Sequence, residues 1–151
     1  MTLSRKTPLR ARTPIATVTP IRRKSPKRQA SASSEAKARA IARVRCMALN
    51  SGRCELCCLA PATDFAHRLA ASRGGEYRAR NGLMACRKCH DRQRDGKGGE
   101  ALATKLGQVI PSMIDGEKPD PAKIPVATAY GWVWLTDDGR VINATAAVML
   151  S

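Results

Sequence analysis

Large aromatic residues are almost missing from this 151-residue chain, which has one Phe, two Trp and two Tyr. A core made of Ala, Val, Ile and Leu at this length lacks bulky fillers, and metal is the usual supplement where cysteines come in pairs. Long apolar runs are missing too. No stretch reaches transmembrane length, and Met1 to Arg12 is polar, without the apolar region of a signal peptide. The expectation is therefore a bacterial-type cytoplasmic protein, with its six cysteines serving as metal ligands or free thiols rather than disulfides. Acids are scarce at the front. Residues 1–50 hold thirteen Lys/Arg against one acid, residues 51–98 hold ten against five, and residues 99–151 hold four against six, within a net charge of +15. A basic front and middle mark a polyanion binder, with nucleic acid the obvious partner. No amphipathic apolar face accompanies the basic run, which argues against a membrane surface.

The length suits one compact domain with extensions. Residues 1–32 read as a disordered basic arm, in which Thr7-Pro8, Thr13-Pro14, Thr19-Pro20 and Ser25-Pro26 recur every six residues. Extended chain of that period could place basic clusters along phosphates, or the arm could be a solubilising tail. Ser25-Pro26-Lys27-Arg28 is similar to Ser-Pro-basic elements that favour narrow minor grooves. Residues 33–98 read as a helix followed by the segment that carries the chemistry. The helix is expected to begin at Ser33 or Ser34 with Glu35 in its first turn, to bury a stripe of Ile41, Val44 and Met47/Ala48, and to stop at Asn50-Ser51-Gly52. Residues 99–151 read as an extension. It should hold a short helix within 99–109 and a hairpin in which Trp132–Leu135 and Arg140–Ile142 flank Asp137-Asp138-Gly139.

Cys54-Glu55-Leu56-Cys57 and Cys86-Arg87-Lys88-Cys89 are two C-x2-C elements. Each such turn delivers two thiolates from one tight loop, and two together satisfy tetrahedral Zn²⁺ and staple distant segments. Structural zinc on Cys54, Cys57, Cys86 and Cys89 is the strongest reading of the sequence, with Cys58 able to stand in for Cys57 and Cys46 left as a small buried helix residue. A closed four-Cys site cannot activate water, so any catalysis must come from what lies beside it.

Both histidines of the chain lie in this segment. The run Cys54-x2-Cys57, Ala66-His67-Arg68, Arg73-Gly74-Gly75, Asn81-Gly82-Leu83, Cys86-x2-Cys89-His90 resembles the HNH endonuclease family, closest to small phage and prophage members with a four-Cys knuckle. The resemblance covers residues 53–94. It implies an α+β, zinc-stabilised ββα-metal domain, in which His67 ends the first strand, 68–80 form the loop, Asn81 enters the second strand and Cys86 to Arg94 run into the helix. It also implies that His67 is the general base, that Asn81 braces the loop, and that His90 binds one catalytic divalent cation (Mg²⁺, Mn²⁺ or similar). Asn81-Gly82 is equally a common turn pair, and His90 is equally placed to be a spare zinc ligand. At two positions the chain departs from the family pattern. Ala66 and Arg94 stand where many members have further metal ligands, leaving water, DNA phosphate or Asp64 to complete the cation's shell.

Arg68, Arg73, Arg78, Arg80, Arg87, Lys88 and Arg94 surround the segment and are expected to contact the DNA backbone. The function expected is metal-dependent cutting or nicking of double-stranded DNA in the cytoplasm of a bacterial host, with a phage packaging or recombination protein as a possible partner by resemblance. The rival expectations are a zinc module that only binds nucleic acid, and an assembly protein that recruits a partner through 99–151.

Overall fold

A computed structural model of the chain describes residues 25–144. The expected arm up to residue 24 and the end from residue 145 lie outside the described residues.

The first element, α1, is a 25-residue helix spanning Pro26–Asn50. It starts well before Ser33. Ser25 is the N-cap, its side chain accepting from the Arg28 N–H, and Pro26 takes the first helical position, where a missing N–H costs nothing. The last unit of the six-residue repeat is therefore a helix start, not part of an extended arm. Glu35 is accordingly not in the first turn; it pairs with Arg39 one turn on, at 3.1 Å. Ser51 and Gly52, both at positive φ, end the helix as expected, their N–H groups returning to Met47 and Cys46 carbonyls.

The expected apolar stripe is not the buried face. Val44 is 71% and Met47 62% exposed, whereas Ala38, Ala42, Arg45 and Cys46 are buried. Small residues let α1 approach closely, and Phe65 and Met84 fill the space against them. Arg45 is admitted because Glu55 neutralises it through two 2.8 Å contacts. Its remaining donors reach the Ala79 and Gly82 carbonyls, and Glu55 also accepts from the Met84 N–H and the Tyr130 hydroxyl.

Strands β1 (Asp64–His67) and β2 (Gly82–Ala85) form an antiparallel hairpin with His67 opposite Gly82. A Cβ on Gly82 would lie 2.0 Å from the Phe65 ring, so only glycine lets that ring cover the strand. The connecting loop carries two 3₁₀ turns, Ala71–Arg73 and Ala79–Asn81. Helix α2 (Arg87–Arg92) follows β2 directly.

Beyond it come α3 (Gly99–Lys105) and a meander of β3 (Val126–Thr128), β4 (Gly131–Leu135) and β5 (Val141–Asn143). The helix within 99–109 and the hairpin around Asp137-Asp138-Gly139 are thus present, with β3 as an additional strand. This sheet is not a separate appendage. Val126, Val133 and Leu135 pack on Leu83 of β2, and the Ala129 N–H donates to the Glu55 carbonyl. Arg68 makes the tightest link. It is 1% exposed and donates to the carbonyls of Gly107, Arg80, Pro121, Ile124 and Pro125. The expectation that Arg68 contacts DNA is corrected accordingly: its guanidinium is enclosed in protein carbonyls. The chain is mixed helix and sheet, an α+β arrangement.

Candidate metal centre and histidine site

Two local structures bring the four cysteines together. After the Arg53–Pro61 bridge, Cys54 accepts from the Cys58 N–H and donates to the Ala60 carbonyl, so the chain folds back within one turn. Cys58 closes that turn at φ 60°. Its thiol points away, donating to Asn50 Oδ1 at 2.7 Å, which settles the choice between Cys57 and Cys58. The second pair sits at the start of α2, with Cys86 as its N-cap residue and the His90 N–H donating to the Cys86 carbonyl.

Cys54, Cys57, Cys86 and Cys89 have their sulfurs all within 4.8 Å of one another, and Cys57 and Cys86 are 3.9 Å apart. Tetrahedral zinc with Zn–S of about 2.3 Å requires sulfurs roughly 3.8 Å apart, so the cluster fits. Four soft sulfur donors at this spacing suit a borderline-soft divalent cation. Burial pushes the Cys54 and Cys89 thiols up, while the Leu59 N–H holds Cys57 down at about 7. Divalent metal would draw all four to thiolates. A structural metal such as zinc is thus accommodated. Cys46 is buried in the α1 core and donates to the Arg53 carbonyl.

His90 follows Cys89 directly on α2. His67 shares the Phe65 face of β1, which turns toward α1, while Ala66 on the other face packs on the cysteines. His67 ends β1, its ring edge-on to Phe65 at 5.0 Å and to Tyr77 at 5.3 Å. Burial holds its pKa below the ordinary histidine value; Glu35 opposes this, while Arg94, Arg39 and His90 add to it. His90, on α2, places Nδ1 3.1 Å from Asp64 Oδ2, which also receives Arg87 Nε at 3.2 Å. Both imidazoles leave Nε2 buried and without a partner.

No family model, no curated protein and no solved structure matches this chain.

Asn81 is 1% exposed and fastens the loop. Its Oδ1 accepts from the Leu69 N–H, and its Nδ2 donates to the Leu69 and Glu76 carbonyls, all within 3.0 Å. The expected basic surface divides. Arg73 pairs with Glu100, Arg78 with Glu76 and Asp137, and Arg80 with Asp120 and Asp137, while Arg87 meets Asp64 and Asp91. Lys88 and Arg94 are exposed without a carboxylate partner. The sequence reading missed Glu35, Arg39 and Tyr77 as neighbours of His67. Tyr77 is the one aromatic residue in the 68–80 loop, a signal that was there to be used. Among the described residues, no helix is long and apolar enough to cross a membrane.

Proposed function

We propose that this chain is a zinc-stabilised ββα-metal nuclease of the HNH type, which hydrolyses phosphodiester bonds of double-stranded DNA with the help of one divalent cation. The observation that carries the reading is the placement of the chain's two histidines. One ends the first strand and one rides the helix that follows the cysteine pair, each with a buried Nε2 that has no partner among the described residues.

His67 acts as the general base. Its depressed pKa keeps the imidazole neutral near pH 7, ready to take a proton from an attacking water. Phe65 and Tyr77 hold its ring from two sides, and Asn81 keeps the 68–80 loop closed under it. His90 would hold the catalytic cation, because Asp64 at Nδ1 favours the tautomer that leaves Nε2 free, the usual role of a carboxylate behind a metal-binding histidine. A divalent cation there supplies Lewis-acid stabilisation of the charge developing on the phosphate. The four cysteines take no part in the chemistry and hold hairpin and helix in register. The setting we propose is the cytoplasm of a bacterial host, with a phage-encoded packaging or recombination protein as a possible associate.

The test is conversion of supercoiled plasmid by purified protein, comparing EDTA with Mg²⁺, Mn²⁺, Ni²⁺ or Zn²⁺, with His67→Ala in parallel. General-base loss predicts a rate lower by about 10²–10⁴-fold. Equal rates for wild type and variant would refute the reading. No cutting with any cation, alongside retained DNA binding, would instead select a zinc module that only binds nucleic acid, the reading that Ala66 and Arg94 favour.

A further inference from the structure

The cationic side chains fall into two groups. Arg73, Arg78 and Arg80 are each paired with Glu100, Glu76, Asp120 or Asp137, although Arg78 lines one cavity together with Lys27 and Lys37. On α1 and just past α2, Lys27, Arg28, Lys37, Arg43 and Arg94 have no carboxylate partner among the described residues. The side chains available to a polyanion are therefore not those nearest His67 in sequence.

Helix α1 supplies the geometry. At 1.5 Å per residue its 25 residues reach about 37 Å, yet its buried residues begin only at Ala38. The first three turns project beyond the core. At 100° per residue, Lys27, Arg28, Ser31 and Glu35 continue the face on which Ala38, Ala42 and Cys46 are buried. Where that face leaves the hairpin it changes from small and apolar to basic. It overhangs a groove lined by Lys27, Arg28, Ser31, Ala32, Glu35 and Tyr77, and the Tyr77 ring packs on His67. Arg94, just past α2, acts with its charge on the His67 imidazole, as do Arg39 and Glu35 on α1. Arg39 keeps its Nε buried and unpartnered there.

We infer that the projecting half of α1 and the Tyr77 loop form a groove that holds the phosphate backbone of a DNA duplex beside His67, with Lys27 and Arg28 as its phosphate contacts. In this assignment the ligand's identity rests on the nuclease reading; its position rests on the division of ion pairs and the overhang. Contacts of this kind read backbone and not base sequence. Arg73, Arg78 and Arg80 are released from the role the sequence suggested for them, since each would have to give up an ion pair to serve it.

The test uses full-length, zinc-loaded protein and a fluorescently labelled duplex of about two helical turns, ~20 base pairs, without added catalytic cation. Binding is followed by anisotropy across a salt series for wild type, K27A/R28A and R78A/R80A. Lys27 and Arg28 are exposed, and matching thermal melts confirm that their replacement leaves the fold intact. Each phosphate contact contributes about 0.9 to the slope of log K against log salt. K27A/R28A should therefore lose close to two units of slope, with affinity down roughly tenfold or more, while R78A/R80A keeps the wild-type slope. An unchanged slope in K27A/R28A, or a loss confined to R78A/R80A, overturns the placement. If wild type still cuts plasmid in that case, only the placement falls; if wild type binds no duplex at low salt, the nuclease reading falls with it. Tighter binding of an RNA duplex of the same length would overturn DNA as the occupant.

Discussion

Replacing Arg68 by Met tests whether a buried arginine is a strut or a ligand contact. A guanidinium has five N–H donors, and Arg68 uses them on five carbonyls at 2.7 to 3.4 Å. No carboxylate faces it. Burial pushes its pKa down to about 9, still protonated at neutral pH. Met fills similar volume but leaves those carbonyls without donors. Hydrogen bonds to a charged group contribute about 1.5–3 kcal/mol each, but they act as one network and do not add. The expected cost is that of breaking a buried charged network, about 3–5 kcal/mol. For a domain of this size that lowers the melting temperature by roughly 10–20 °C. Arg68→Lys should recover only part of it, because an ammonium has three donors and no fork. The assay is thermal unfolding of zinc-loaded protein, with the salt series on DNA run below the transition. A strut predicts a large loss of stability and an unchanged salt slope. A melting temperature within about 2 °C of wild type, with the slope reduced by about 0.9, would refute the reasoning and restore Arg68 as a phosphate contact.

Glu55→Gln should cost about 3–5 kcal/mol by leaving Arg45 uncompensated, and joint replacement of Arg45 by Met and Glu55 by Leu should not restore stability, because it strands the Ala79 and Gly82 carbonyls, the Met84 N–H and the Tyr130 hydroxyl; a urea titration in which the single change is neutral would contradict the buried pair. Cobalt titration with thiolate absorbance should give one tetrahedral metal per chain in Cys58→Ser and a weakened or absent site in Cys57→Ser, and the reverse pattern would exchange the two cysteines' roles. Because burial lowers the His67 pKa, the acid limb of kcat/KM should fall below the ordinary histidine value of about 6.5, and a limb above it would remove His67 as base. The same sign governs stability. The unfolded chain takes up this proton first as pH falls, so acidification through the ordinary histidine range should destabilise wild type more steeply than His67→Gln.

Local chemistry was legible in the sequence and long-range packing was not. The C-x2-C turns and the Asp137-Asp138-Gly139 hairpin are specified by neighbours a few residues apart, and both are found. The stop of α1 at Asn50-Ser51-Gly52 is legible for the same reason. Its start was hidden because Ser25-Pro26 belongs equally to a repeat and to a capped first turn. Val44 and Met47 misled because helical spacing alone cannot tell which face meets a partner; Ala38, Ala42 and Cys46 win by allowing closer approach. Arg45 and Arg68 were invisible as interior residues, since their acceptors come from segments 10 to 57 residues away. At the candidate site, His67, Asn81 and His90 were named through the family resemblance and not through spacing alone. The groove between α1 and Tyr77 could not be named at all, because nothing local ties Lys27 or Glu35 to the loop after a later strand.

Ala38, Ala42 and Cys46 also act as a spacer. Helices carrying small side chains settle closer to what they pack on, so this stripe sets how far α1 stands from the hairpin and thereby where its projecting end lies. Ala42 is fully buried; enlarging it would lift the whole rod and swing its projecting end, a lever whose fulcrum lies in the core. On the placement inferred above, graded replacements at Ala38 and Ala42 would change the fit of a duplex against α1 without altering a single charge.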